Sequence, residues 1–277
     1  GNTNVISLIL AKDFDFSEKT SLDVSLGYAY TDSKTGNPVN SSTAGSSYEE
    51  VAVETLNSVP LAPNLWANEH NIILRARLQH YFFDNHPTSV SFFLQRRSGR
   101  PFSYTYEDDT VEEWFGDSDD EERVLLYVPT GPDDPLMDFS NLDGQDVVDL
   151  FAVLDQSGLS AYAGDIAPRN AFNSPWSTDL DVRIKQEIPL FGDDHALDLF
   201  LDIENILNMF SDSNNVKRYA DTGDIQEGVR VLEINERSPA IDNTAQYEIT
   251  RWYDEGINRD VDDSVYRIQI GVQYRFR

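Results

Sequence analysis

Cysteine is absent from the 277 residues, which excludes disulfides, a thiolate nucleophile and any Cys-ligated zinc or iron–sulfur centre. That absence leaves the redox compartment open, because an oxidising compartment permits disulfides without requiring them. Positive charge is scarce: 21 Lys plus Arg against 49 Asp plus Glu give a formal net charge of −28. A chain this acidic is repelled by phosphate backbones, so nucleic acid is not an expected partner. No apolar run approaches the roughly 18 residues of a membrane-spanning helix. A signal peptide is missing and the first residue is Gly1, not Met, as in a cut or processed chain. Catalytic signatures are missing as well: there is no Gly-x-Ser-x-Gly elbow, no Gly-rich phosphate loop ending in Lys and no His-Glu-x-x-His. His70, His80, His86 and His195 are scattered, the last two in expected turns. Acid pairs are too abundant for a glycosidase-like pair to stand out. Asp143–Asp146 and Asp221–Asp224 lack the full calcium-loop pattern. No enzymatic step, cofactor or metal is expected.

What the chain has is period-two alternation, the mark of strands with two unlike faces. At the C-terminus Tyr266, Ile268, Ile270, Val272, Tyr274 and Phe276 oppose Arg267, Gln269, Gly271, Gln273 and Arg275. Residues 195–204 set Leu197, Leu199, Leu201 and Ile203 against Asp198, Phe200, Asp202 and Glu204. Residues 179–188 do the same with Leu180, Val182, Ile184 and Ile188. Weaker versions occupy 4–13, 20–31, 70–82 and 88–95, with Phe102, Tyr104 and Tyr106 continuing the parity of the last. Strands of this length suit a tilted crossing of a bilayer core, which takes roughly 9–11 residues, whereas globular strands run nearer 5–6.

The connections alternate too. Short turns at 14–18, 83–87 and 190–195 separate long segments at 33–68, 106–174 and 211–263. Short turns at one end and long loops at the other are the rhythm of an outer-membrane barrel; a sandwich more often mixes loop lengths at both ends. The charged parity cannot face lipid, so it faces a lumen, with Arg183 and Lys185 near Asp198 and Asp202 across the 190–195 turn. The competing interpretation makes that stripe the wet face of a soluble antiparallel sheet. Tyr28, Tyr30, Tyr104, Tyr106, Tyr266, Tyr274 and Phe276 suit interfacial girdles. Arg96 breaks the apolar parity, which predicts a bulge or the membrane rim near Gly99 and Pro101. Within the long segments, 144–157 is expected to be a short helix capped by Asp143 and stopped by Gly158. Residues 229–234 and 246–252 are expected to pair as a hairpin above the barrel. Residues 107–122 carry ten acids and no base and are expected to be solvated loop.

If the C-terminus lies at the short-turn end, counting back starts residue 1 at the long-loop end. Single-chain bacterial barrels have an even strand number with both termini in the periplasm. The expectation is therefore the C-terminal part of a larger barrel, all-β and antiparallel, with about seven membrane strands in residues 1–277.

Several segments resemble the late barrel of TonB-dependent outer-membrane receptors, most closely the Oar-like subgroup. They are Gly164-Asp-Ile-Ala-Pro-Arg-Asn170, Pro175-Trp176 and Leu180-Asp-Val-Arg-Ile-Lys-Gln-Glu-Ile-Pro189, with Asp202-Ile-Glu-Asn-Ile-Leu-Asn208 and Ser98-Gly-Arg-Pro-Phe-Ser103. The last strand, ending Tyr274-Arg-Phe276, resembles the signal read by the barrel-assembly machinery, with Arg277 following where that family usually ends. The resemblance implies a Gram-negative outer-membrane protein that takes up an extracellular solute. Its partners would be lipid, the solute and a TonB complex acting through a plug domain absent from this sequence. Arg169 and Asn170, in the family-like segment, are candidate ligand contacts at the barrel mouth, or else hydrogen-bond a loop to the wall. Trp66, Trp114 and Trp252 are candidates for stacking on a ligand, or else pack within the loops. Two other classes remain open: an adhesive or structural barrel without transport, and a soluble carbohydrate-binding β-sandwich.

Overall fold

A computed structural model describes residues 1–37, 42–44, 47, 51–55, 57–107, 123–191, 195–211, 215–220, 228–239, 245–254 and 256–276. The protein is mostly β. Seven long strands are hydrogen-bonded in chain order: β1 (Asn2–Ser17), β2 (Thr20–Thr35), β3 (His70–Phe83), β4 (His86–Arg97), β5 (Ser177–Pro189), β6 (His195–Glu204) and β7 (Arg267–Phe276). Every neighbouring pair is antiparallel. All seven expected strands are present, with ends shifted by a few residues. The first reversal falls at Glu18-Lys19 rather than over 14–18, because β1 keeps pairing as far as Ser17 with Thr20. The second falls at Asp84-Asn85, where Asn85 takes a left-handed φ of 61° that Asn tolerates. His86 and His195 accordingly open β4 and β6 instead of sitting in the turns. The sheet is open: among the described residues β1 and β7 are its edges and do not pair with each other.

Directly opposed residues share a face, so the register turns the alternation into rows that cross the sheet. One row reads Phe14, Leu22, Leu78, Val90, Ile184, Leu201, Ile270, and another Leu10, Leu26, Leu74, Leu94, Leu180. On the other face a row reads Asp13, Asp23, Arg77, Ser91, Arg183, Asp202, Gln269. Lys12 interrupts the apolar stripe on the edge strand, and its ammonium lies 5.9 Å from the centre of the Phe14 ring, reaching toward the turn end. Nothing among the described residues covers the apolar face: Ile6 is 70% exposed, Ile270 79% and Leu26 42%. A compact chain of 31.4 kDa exposes about 12,000 Å², whereas this one exposes 16310 Å².

The dense hydrophobic core lies elsewhere, in a cap built from the long loops. Phe102, Tyr104, Leu126, Leu150, Leu232 and Ile249 belong to one buried cluster drawn from segments far apart in the chain. The expected hairpin is there as Val229–Pro239 against Ala245–Trp252, and it extends into a four-stranded sheet. Tyr104–Tyr106 runs parallel to its first strand and Met137–Asp138 parallel to its second. The expected helix is also present as α1 (Gly144–Gln156), with Asp143 accepting from the N–H groups of Gln145 and Asp146 in a capping box. Gly158 follows it with a left-handed φ of 82°. The α1 helix buries Leu150 and Leu154 in the cap core.

One expectation fails here, and another is narrowed. Tyr104 and Tyr106 do not extend the wall or line its rim: β4 stops at Arg97, and the two rings are buried in the cap, 6% and 2% exposed. Of the two alternatives for Arg96, the bulge is absent from β4, which leaves the rim: Arg96 is the penultimate residue of the strand, at the long-loop end. Of the acidic segment only Glu107 is described, held by Arg230 at 2.9 Å. Its other members, Trp114 and the 221–224 segment lie outside the described residues.

Candidate functional site

The polar face of the sheet is concave and holds an open cavity of about 580 Å³, lined by Asp23, Arg75, Arg77, Phe93, Arg183 and Asp202 among others. Alternation aims these residues inward. Arg75 lies over the Phe93 ring at 5.5 Å and Arg183 over Phe200 at 4.9 Å. Gly271 faces Phe200 across the strand pair, and a Cβ there would meet the ring at 2.0 Å; the glycine makes room for the aromatic. Both charge signs line the space, together with the Phe93 ring.

Toward the turn end the same face holds the ion pairs that the alternation places across the 190–195 turn. Arg183 meets Asp202 at 3.2 Å and Lys185 meets Asp198 at 2.9 Å. Glu187 and Asp198 stand directly opposite each other, an unfavourable like-charge pair, which Lys185 and Arg275 neutralise from both sides. Arg275 lies 2.8 Å from Glu187 and 3.0 Å from Asp198. The Asp198 side chain is only 5% exposed. Asp198→Asn should therefore cost about 1–3 kcal/mol, between an exposed pair and a fully buried one. A double-mutant cycle with Arg275→Met checks it by urea titration; a coupling energy indistinguishable from zero would show that the network contributes nothing.

At the long-loop end, Arg169 is buried and donates from Nη2 to the carbonyl oxygens of Thr35 (2.9 Å) and Pro60 (2.6 Å). Desolvation lowers its pKa from the ordinary value; the two carbonyls satisfy Nη2 in part compensation for burial, while Nε is buried without a partner. Asn170, at a left-handed φ of 54°, donates to Pro63 O at 2.8 Å, while its N–H donates to the Ser103 hydroxyl at 2.9 Å. Both residues thus tie the 164–170 segment to the first long loop, close in sequence to Trp66. Trp66 is half exposed beneath Arg100, whose guanidinium lies 5.2 Å from its ring. Trp252 is elsewhere, on the cap hairpin opposite Leu232 and packed on the cap core. The structure therefore brings Arg169, Asn170 and the Trp66 loop together and leaves Trp252 apart.

The cap has one further anchor. Burial alone would raise the Asp134 carboxyl, yet hydrogen bonds from Thr130 N–H, Leu136 N–H, the Thr130 hydroxyl and the Tyr127 hydroxyl hold it below the usual carboxylate range.

Sequence reasoning missed a cluster at the outer rim of the apolar face. There His70 stacks on Trp176 (5.6 Å between centres, 11° between planes) and its Nδ1 lies 2.9 Å from the Tyr28 hydroxyl. Arg96 sits over the other partner, 5.4 Å from the Trp176 ring. The signal was present in the shared parity of Tyr28, His70, Arg96 and Trp176 once the strands are put in register. Among the described residues no group of three or more His, Asp or Glu could hold a metal ion. No described helix is long and apolar enough to cross a membrane, which says nothing of strands. Comparison with known proteins finds no matching family model, no matching curated protein and no matching solved structure.

Proposed function

We propose that this chain is wall and outer-loop cap of an outer-membrane β-barrel of the TonB-dependent, Oar-like kind, serving uptake of an extracellular solute. The observation that carries the proposal is the uncovered apolar face of the seven-stranded sheet. Exposed apolar patches on soluble monomers rarely exceed a few hundred Å², and rows of seven and five apolar side chains need a solvent of their own kind. The backbone argument agrees, because in lipid only helices and closed barrels satisfy every N–H and C=O. Closure would pair the free edges of β1 and β7 with further strands. The concave charged face would then line the lumen, the cap would face outward with Arg169 and Asn170 securing it, and the turns would face the periplasm. Lipid would contact the wall, the assembly machinery would engage β7, and a TonB complex would act through a plug outside these residues.

The test is fractionation. The protein should stay in the membrane pellet through alkaline carbonate and leave it only with detergent; recovery in the soluble fraction would point to a soluble sheet, for which sugar binding is the next assay. A second reading, an adhesive barrel, is separated by solute uptake that does not depend on the proton gradient.

A further inference from the structure

We propose that a niche at the long-loop rim of the apolar face, centred on Arg96, binds the phosphate of a lipid headgroup; this rests on the membrane reading above. The niche measures about 350 Å³ and is lined by Arg96, Trp176, Ser177, Thr178, Leu207 and Lys217 among others. Arg96 has the parity of Val90, Phe92 and Leu94, and Thr178 stands directly opposite it. Both lie one row beyond Leu94 and Leu180, where the apolar stripe ends.

Height fits as well as side. From Thr178 to Ile188 on β5 is ten residue steps, about 33 Å along the strand and about 23 Å along the normal at a tilt near 45°. That is the height of a lipid-facing apolar band, so the guanidinium stands at headgroup level. The α2 helix (Ile206–Phe210) packs beside β5 and supplies Leu207 to the niche. Its Phe210 is 77% exposed, an apolar flank suited to acyl chains.

Charge selects the ligand. In a chain of net charge −28, the Arg96 side chain has no carboxylate partner and no hydrogen bond among the described residues; its guanidinium lies over the Trp176 ring. Its neighbours are committed: Arg97 donates to the Ser177 hydroxyl at 3.1 Å, and Lys217 pairs with Asp179 at 2.9 Å. The stack of Trp176 on His70 braces the arginine from below. A planar, unpaired guanidinium beside Thr178 matches a phosphate, and its place on the lipid side assigns that phosphate to a lipid.

The full chain is mixed with phosphatidylcholine vesicles with or without added phosphatidic acid, and flotation is scored first. Detergent extraction and lipid mass spectrometry then give the enrichment of phosphatidic acid on the protein. Wild type should enrich it, Arg96→Gln should lose about tenfold or more, and Arg75→Gln on the concave face should lose none. Should Arg96→Gln fail to float, Arg96→Lys takes its place, with a several-fold loss expected from the missing fork. Equal enrichment in the floating Arg96 variant overturns the niche and leaves the membrane reading intact. Displacement of the lipid by inorganic phosphate overturns the lipid assignment. A chain that floats with neither vesicle sinks both proposals.

Discussion

Leu78→Arg is expected to destabilise the bilayer-embedded protein by about 2–4 kcal/mol, while Gln79→Arg on the same strand changes it by no more than about 1 kcal/mol. Leu78 lies in the row from Phe14 to Ile270 and is flanked by Leu22 and Val90, so its side chain points to the apolar face near mid-band. Gln79 is one residue further along and points to the concave face, opposite Ser21 and Ser89. The two substitutions add the same charge to adjacent positions, and only the side differs. Depth gives a second axis: Ile72→Arg, in the Arg96 row, should cost only about 0–1 kcal/mol because its charge reaches the headgroups. Urea titration of the protein in phosphatidylcholine vesicles, followed by tryptophan emission, measures all three. A soluble sheet would tolerate Leu78→Arg within about 0.5 kcal/mol, as exposed sites do, and would show no dependence on depth. Such a result would end the membrane reading whatever the fractionation had shown.

The wall was legible because its information is local. Each strand declares its faces within ten residues, and meander order follows once neighbours in sequence are neighbours in space. Arg183 and Lys185 could be matched to Asp202 and Asp198 for the same reason, across one turn. The α1 helix was legible through Asp143, the Leu150 and Leu154 spacing and Gly158. Of the cap sheet only the central hairpin was legible, because its other pairings join Tyr104 to Val229 and Met137 to Tyr247. Strands of two or three residues carry no period. Tyr104 and Tyr106 were misassigned for that reason: their alternation is real, but it belongs to a different sheet from β4. Arg169 was legible as a residue of interest, whereas its grip on Thr35 and Pro60 depends on a fold no local pattern encodes. The Arg96 misfit was the most informative local signal, since a charge out of register marked the place where the apolar stripe stops.

Leu150→Ala, in the cap, should cost about 2–5 kcal/mol and spare the wall. Leu150 is 0% exposed and belongs to the buried cluster of the cap. The cap core and the wall are held by different forces. The first buries side chains contributed by separated loops, so one cavity weakens every segment that meets there. The second is a ladder of backbone hydrogen bonds between long strands, in which Leu150 takes no part. Hydrogen exchange in detergent micelles should therefore lose protection in α1, at 229–234 and at 247–252, with β2 to β6 unchanged. If protection falls throughout, cap and wall form one cooperative unit, and the Arg169 and Asn170 ties are strong enough to couple them. If it falls only in the cap, the outer loops make a separately folded unit seated on a rigid sheet. Solute contacts could then change in the loops without disturbing the wall beneath them, the usual division between variable loops and the scaffold that positions them.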